Sequence, residues 1–295
     1  MKHVKIFFCF LVISFLTVSC SNDASTETDD TYAFFVAGHT YGNTSNKNPG
    51  LHPPFKKEFD SIRAYPHMAF GVLVGDIVLR GDKESWDAVD REIAELGIPL
   101  YLVPGNHDVY DDYELFKHRY GDREHEYASY RSIRNNEDLM ILLDGNLDDW
   151  NITGDQLAFL EEALTVNREQ VNHVFIFVHQ LIWWDEHTVF KNIVHNWPPY
   201  TPDTTNYWGT LEPMVQDYPA PVFLFAGDLG IFERTTPYMY YKENNVTYVA
   251  TGMGSEVNDN YLFVTVRPDG EVDFDLIALQ GDRRRFGNLE DYVLP

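Results

Sequence analysis

Five short apolar runs constrain this chain more than any other feature, because each one leads into a side chain able to bind a metal. The runs cover residues 32–37, 70–74, 98–103, 174–178 and 222–226. They are rich in β-branched and aromatic residues and lack polar alternation, the pattern of strands buried on both faces. The first leads into Gly38 and His39, and the second into Gly75 and Asp76. The third leads into Pro104, Gly105, Asn106, His107 and Asp108, the fourth into His179, and the fifth into Gly227 and Asp228. Amphipathic stretches at 55–64, 84–96, 154–165 and 210–217 separate the runs and read as helices. Strands alternating with helices imply an α/β fold whose ligand sits beyond the carboxyl ends of the strands. The five loops are therefore expected to converge.

Asp76, Asn106, His179 and Asp228 offer carboxylate, amide oxygen, imidazole and carboxylate, and three of them directly follow a glycine. Glycine lets backbones approach closely, and this donor mixture suits a divalent Mn, Fe or Zn ion. Any one member alone reads as a turn or cap residue. A further strand is expected at 140–143. Runs at 238–241, 247–250, 261–266 and 272–277, with Asp269 and Gly270 as a hairpin signal, read as an antiparallel meander.

With these residues in view, the sequence resembles the calcineurin-like metallophosphoesterase family over residues 32–279. The block Gly105, Asn106, His107, Asp108 carries the resemblance most specifically, with Gly75 and Asp76 before it and His179 after it. Asp144, Gly145 and Asn146, followed by Gln156, Leu157 and Leu160, fit the intervening stretch. The resemblance implies two packed mixed β-sheets flanked by helices, a four-layer α/β/β/α arrangement, around a two-metal centre that hydrolyses phosphate esters. It also implies that Asp76 bridges the metals and that Asn106 and His179 hold the second one. His107 then contacts the phosphate or protonates the leaving group, and Asp108 orients His107. Two motifs depart from the family. Its opening Asp-x-His is replaced here by His39 and Tyr41, and its closing His-x-His by Asp228 and Gly230. A carboxylate and an imidazole have traded places, leaving His39, Tyr41 and Asp76 as candidates for the first metal.

Between His179 and Asp228 lie Trp183, Trp184, Trp197 and Trp208, four of the six tryptophans, with Tyr200, Tyr207, His187 and His195. Two readings of this insert, 181–210, stay open: an aromatic cap that stacks a sugar, base or aryl group, with Trp183, Trp184 and His187 as contacts, or a loop packing its own small core. His187 and His195 are also candidates to replace missing first-metal ligands. For Arg80 and Arg234 two readings stay open, a surface ion pair or a grip on a phosphate oxygen, and the first is favoured.

The net charge of −24 repels phosphate backbones and argues against nucleic-acid partners. Residues 1–19 have the basic start and apolar run of a signal peptide. Cys9 and Cys20 are the only cysteines, and Cys20 sits where a bacterial lipoprotein signal places its lipidated residue. Lipidation is favoured over plain secretion, with 20–31 as a tether, 32–280 as the domain and 281–295 as a tail. The expected protein is thus a lipid-anchored envelope phosphoesterase acting on a phosphorylated small molecule or envelope substrate. The competing expectation is a non-hydrolytic or mononuclear scaffold that binds a glycan or peptide through the insert.

Overall fold

The computed structural model describes residues 30–45, 47–197 and 204–295. The signal segment, Cys20, most of the tether, and Pro198, Pro199, Tyr200 and Pro202 lie outside the described residues.

Two mixed sheets face one another. The first has five strands in the order β11-β10-β1-β2-β3, where β1 is Tyr32–Gly38, β2 Met68–Val74, β3 Leu100–Val103, β10 Asn260–Val266 and β11 Val272–Ala278. The second has six in the order β4-β5-β6-β7-β9-β8, with β4 Arg131–Asn135, β5 Asp138–Leu142, β6 His173–Phe177, β7 Val222–Ala226, β8 Met239–Glu243 and β9 Val246–Ala250.

The period-2 geometry of a strand explains the layering. On β1, Tyr32, Phe34 and Val36 enter the core between the sheets, while Phe35 and Ala37 face the opposite way. Between the sheets Phe34 stacks on Phe70 with centroids 5.1 Å apart and meets Phe175 edge-on at 5.3 Å. Over the outer face of the first sheet lie α1 (Pro53–Lys56), α2 (Phe59–Arg63), α3 (Lys83–Leu96) and α5 (Tyr113–Tyr120), which bury Phe55, Phe59, Ile62, Trp86 and Phe116 in one cluster. The second sheet is covered by α6 (Gly154–Asn167), α7 (Glu212–Gln216) and the aromatic insert. The result is the four-layer arrangement of two mixed sheets flanked by helices.

Three local expectations are corrected. The stretch 55–64 forms two short helices. The stretch 210–217 is a π-helical turn, Tyr207–Leu211, running into α7. The C-terminal strands do not form a meander. Instead β8 pairs antiparallel with β9, β9 runs parallel to β7, and β10 and β11 join the other sheet beside β1. Within the C-terminal tail 281–295, Leu289 is buried in the core between the sheets.

At the far end from the strand-end loops, a buried polar chain ties the sheets together. Tyr32 Oη donates to Asp138 Oδ2 (2.6 Å), and Asp138 Oδ1 accepts from His173 Nδ1 (2.8 Å). The other ring nitrogen of His173 reaches the Gly270 carbonyl (3.0 Å).

Candidate metal centre

The carboxyl ends of β1, β2, β3, β6 and β7 meet at one end of the sandwich, and glycines set how closely. A Cβ on Gly38 would lie 2.4 Å from Gly227 Cα, and one on Gly227 would lie 1.8 Å from the Val74 carbonyl oxygen. A Cβ on Gly75 would sit 2.3 Å from the His179 ring. Side chains larger than hydrogen would push the sheets apart here. Main-chain bonds stitch the loops together: His39 N–H donates to Gly75 O (3.0 Å), Tyr41 N–H to Asp76 O (3.1 Å), and Gly227 N–H to His179 O (2.9 Å). His39 and Asp76 occupy the left-handed region, with φ of 55° and 51°. Such strain, about 1–3 kcal/mol per residue, concentrates at functional sites.

The donors converge as the strand ends require. One ligand atom from each of Asp76, His179 and Asp228 lies within 4.8 Å of the other two, and all three residues are buried. His179 Nε2 stands 3.5 Å from Asp76 Oδ1 and 3.9 Å from Asp228 Oδ1. His179 Nδ1 is bound to the Val74 carbonyl at 2.9 Å. That bond leaves Nε2 buried and without a hydrogen-bond partner among the described residues, the orientation a metal-ligating imidazole needs. His39 Nε2 approaches the other oxygen of Asp76, Oδ2, at 3.3 Å, so Asp76 has donors on both sides. Asn106 opens α4 (Asn106–Val109) directly after Gly105, whose backbone packs against the Asp76 carboxylate; its own side chain is exposed.

Electrostatics mark the same point. Burial alone would raise Asp76, but the imidazoles of His179, His39 and His107 outweigh it and hold this carboxyl well below its usual range. Burial lowers His179, yet Asp76 and Asp228 more than compensate and lift it to about 10. Asp228 is raised by burial and by Asp76, against the opposing pull of His179. The pair of carboxylates therefore stabilises positive charge at Nε2. A divalent cation answers that field and must displace the proton to bind. The residues present fit a metal.

His107 Nδ1 donates to the Leu79 carbonyl (2.9 Å), and its backbone N–H donates to Asp76 Oδ1 (3.0 Å). The ring's Nε2 faces Tyr41 Oη at 3.5 Å. The role expected of Asp108 is corrected. Its Oδ1 accepts the N–H groups of Ile77 (2.8 Å) and Val78 (3.0 Å), and its Oδ2 accepts that of Gly105 (2.8 Å). Asp108 thus clamps the loop carrying Asp76 to the loop carrying Asn106, and Leu79 orients His107. Burial and the nearby Asp76 push Asp108 up to about 7.

Tyr41, expected as a candidate for the first metal, packs its ring beside that of His39, with centroids 4.4 Å apart. It is buried, and desolvation together with Asp76, Asp228 and Asp108 raises its hydroxyl far above the ordinary tyrosine range. Trp183 is also corrected as a stacking surface: it is fully buried in the core beneath the second sheet's outer face, and Trp208 Nε1 donates to its carbonyl at 3.0 Å. Trp184 packs partly buried against the same core. His187 is exposed beside Glu186 and stays out of the cluster. His195 is buried edge-on to Trp184, with ring centroids 4.6 Å apart. Arg80 is exposed, and its guanidinium has no hydrogen bond or ion pair among the described residues. Arg234 lies over the Phe232 ring.

Comparison with known proteins settles the lineage. The profile of the calcineurin-like phosphoesterases matches residues 39–252, from the first candidate ligand to the glycine just past β9. The chain belongs to this family. Among solved structures, a dimetal phosphatase from Danio rerio is similar with a TM-score of 0.59 and 13% identity, covering 83% of this chain and 95% of that one. A purple acid phosphatase from yellow lupin (Lupinus luteus) seeds gives a TM-score of 0.61 and 13% identity over 84% of this chain and 52% of its own. At that identity these likenesses establish the fold. Comparison with curated proteins yields no match. The calcineurin-like frame supports metal-dependent phosphoester hydrolysis, and Asp76, His179 and Asp228 form its buried donor group here.

Sequence reasoning missed two contributors to this centre. Asn196, in the insert, accepts the N–H of Ile231, three residues past Asp228, at 2.8 Å. His52 bonds Asp259 at 2.9 Å, joining the segment after Tyr41 to the loop after β9. Neither carries a local pattern; only the folded path of the chain brings them in.

Proposed function

We propose that this protein is a metal-dependent phosphoesterase at the bacterial cell envelope, acting on a phosphorylated small molecule or an envelope component. The observation that carries the reading is the buried Asp76, His179, Asp228 group, with His39 on the far oxygen of Asp76. Asp76, His179, Asp228 and Asn106 would hold one ion, and His39 with Asp76 begins a second position. A bound divalent ion supplies an activated water and neutralises charge on the phosphoryl oxygens.

The chain's own groups do the rest. His107, held through Nδ1 by Leu79, presents Nε2 to the site, where it donates a proton to the leaving oxygen or a hydrogen bond to the phosphoryl group. Tyr41 Oη faces that nitrogen and limits its swing. Asp108 keeps the two ligand loops in register. Arg80 is free to meet a phosphate oxygen as a charge-assisted donor. The buried Trp183 weighs against the alternative of an aromatic platform for a glycan.

The test is metal content measured together with hydrolysis of aryl phosphate mono- and diesters by wild type and His107→Ala. The reading expects bound metal in both proteins and turnover reduced about 10²–10⁴-fold in the variant. Bound metal with turnover indifferent to His107 refutes it. The envelope assignment rests on the sequence around Cys20, and Cys20→Ser should release the protein from the membrane fraction.

A further inference from the structure

The outermost strands β3 and β4, one from each sheet, meet across a cavity of about 400 Å³ that the last turn of α5 and the loop after it close. Leu100 and Leu102 of β3 give it an apolar side, and Arg119, Arg123 and Arg131 bring three guanidiniums to it. In a chain with 46 acidic and 22 basic residues, such a gathering inverts the local charge. We propose that this cavity is a second binding site, apart from the metal centre, for a small organic oxyanion whose carboxylate or phosphate group is gripped by Arg131 and Arg123. Binding here requires no metal.

Arg131 stands where the sheet otherwise places apolar side chains. It shares a face of β4 with Ile133, and its partner across the ladder is Leu142; both of those pack into the core between the sheets. The guanidinium lies over the Tyr101 ring of β3, 5.4 Å from its centre, and forms no hydrogen bond or ion pair among the described residues. Burial disfavours its charge, and Asp122 and Tyr101 restore only part of what is lost. A half-buried charge without an acceptor is costly, and the planar fork of N–H donors matches the edge of a carboxylate or phosphate. The neighbouring charges are already committed. Arg119 is held by Asp87 (2.7 Å) and Asp90 (2.6 Å), while Asp122 accepts from His125 (2.8 Å) and from the Glu124 N–H (3.0 Å). Arg123 and Arg131 are left facing one exposed carboxylate, that of Glu124. The volume falls in the range of small-ligand sites, about 300–1,000 Å³, and the two leucines suit the carbon body of an organic acid.

The experiment titrates inorganic phosphate and, separately, benzoate into metal-stripped full-length protein by calorimetry, so that no ion at Asp76 and His179 can hold the anion. Saturable one-to-one binding of at least one probe is expected, and the tighter of the two tells which oxyanion the arginines prefer. Arg131→Gln should raise that Kd about 10–100-fold, the loss of a charge-assisted pair of hydrogen bonds. Arg131→Lys, which keeps the charge without the fork, should fall between wild type and Arg131→Gln. Aryl phosphate turnover of both variants with metal restored should match wild type, and His107→Ala should bind the probe as wild type does. Should Arg131→Gln fail to fold, Arg123→Gln, altered at an exposed side chain, carries the same expectation of weaker binding. No saturable binding of either probe overturns the proposal. So does a Kd that the arginine substitutions leave unchanged, or one that rises in His107→Ala, which would put the anion at the metal centre instead.

Discussion

Replacing His195 with Phe tests how the aromatic insert is built. The substitution keeps a flat ring edge-on to Trp150 and Trp184 while removing two buried ring nitrogens that have no hydrogen-bond partner among the described residues. Burial lowers this imidazole from 6.5 to about 3. The folded protein therefore refuses a proton that the unfolded chain accepts once the pH falls below about 6.5. For a depressed folded value, the stability contribution is complete above the unfolded pKa and is lost as pH falls toward the folded one. At about 1.4 kcal/mol per pH unit, wild type loses about 2 kcal/mol from this group by pH ~5, and the ceiling across the whole window is about 5 kcal/mol. His195 is 2% exposed, so solvent screening removes little of this. Urea unfolding of wild type and His195→Phe from about pH 7.5 down to about pH 5 reads the difference directly, since acid-sensitive groups common to both cancel. The variant should gain on wild type steadily as the pH drops. A gap between the two proteins that is the same at both ends of the range refutes the argument.

Other consequences are equally open to measurement. Gly75→Ala forces a side chain into the left-handed region against the His179 ring; it should cost about 1–2 kcal/mol in backbone strain alone and abolish tight Mn(II) binding, read by thermal melting and calorimetry. Saturating metal at about a hundred times its Kd should stabilise the fold by about 2.7 kcal/mol, and a chelator should reverse both that gain and turnover. Trp183→Ala should destabilise by about 3–5 kcal/mol through the cavity it leaves, with kcat/KM on aryl phosphates close to wild type. A variant of normal stability with weakened KM would make Trp183 a substrate contact after all.

What the sequence revealed depended on how local the signal was. Buried strands and the residues just beyond them could be read because a run such as 174–178 and the His179 that follows belong to one stretch of chain. The direction of β9 could not, since an alternating run looks the same whether its neighbour is parallel or antiparallel. That is why Gly252, whose Cβ would lie 1.9 Å from Leu229 O, was not placed at the metal end. The clamp formed by Asp108 was hidden for a related reason: a carboxylate next to a histidine in sequence suggests a pair, yet helix α4 turns the two side chains toward different loops. Asn196 and the His52–Asp259 pair join residues far apart along the chain, 207 positions in the second case, and no periodicity encodes that meeting.

Main chain touches main chain where Gly38, Gly227 and the Val74 carbonyl converge, while Tyr32, Asp138 and His173 brace the opposite end of the sandwich. Contacts at both ends of the sandwich fix how the two sheets sit against each other. What remains free to vary is the chemical identity of the groups mounted on it. The imidazole at position 39 and the carboxylate at 228 are two such groups, mounted at the carboxyl ends of β1 and β7.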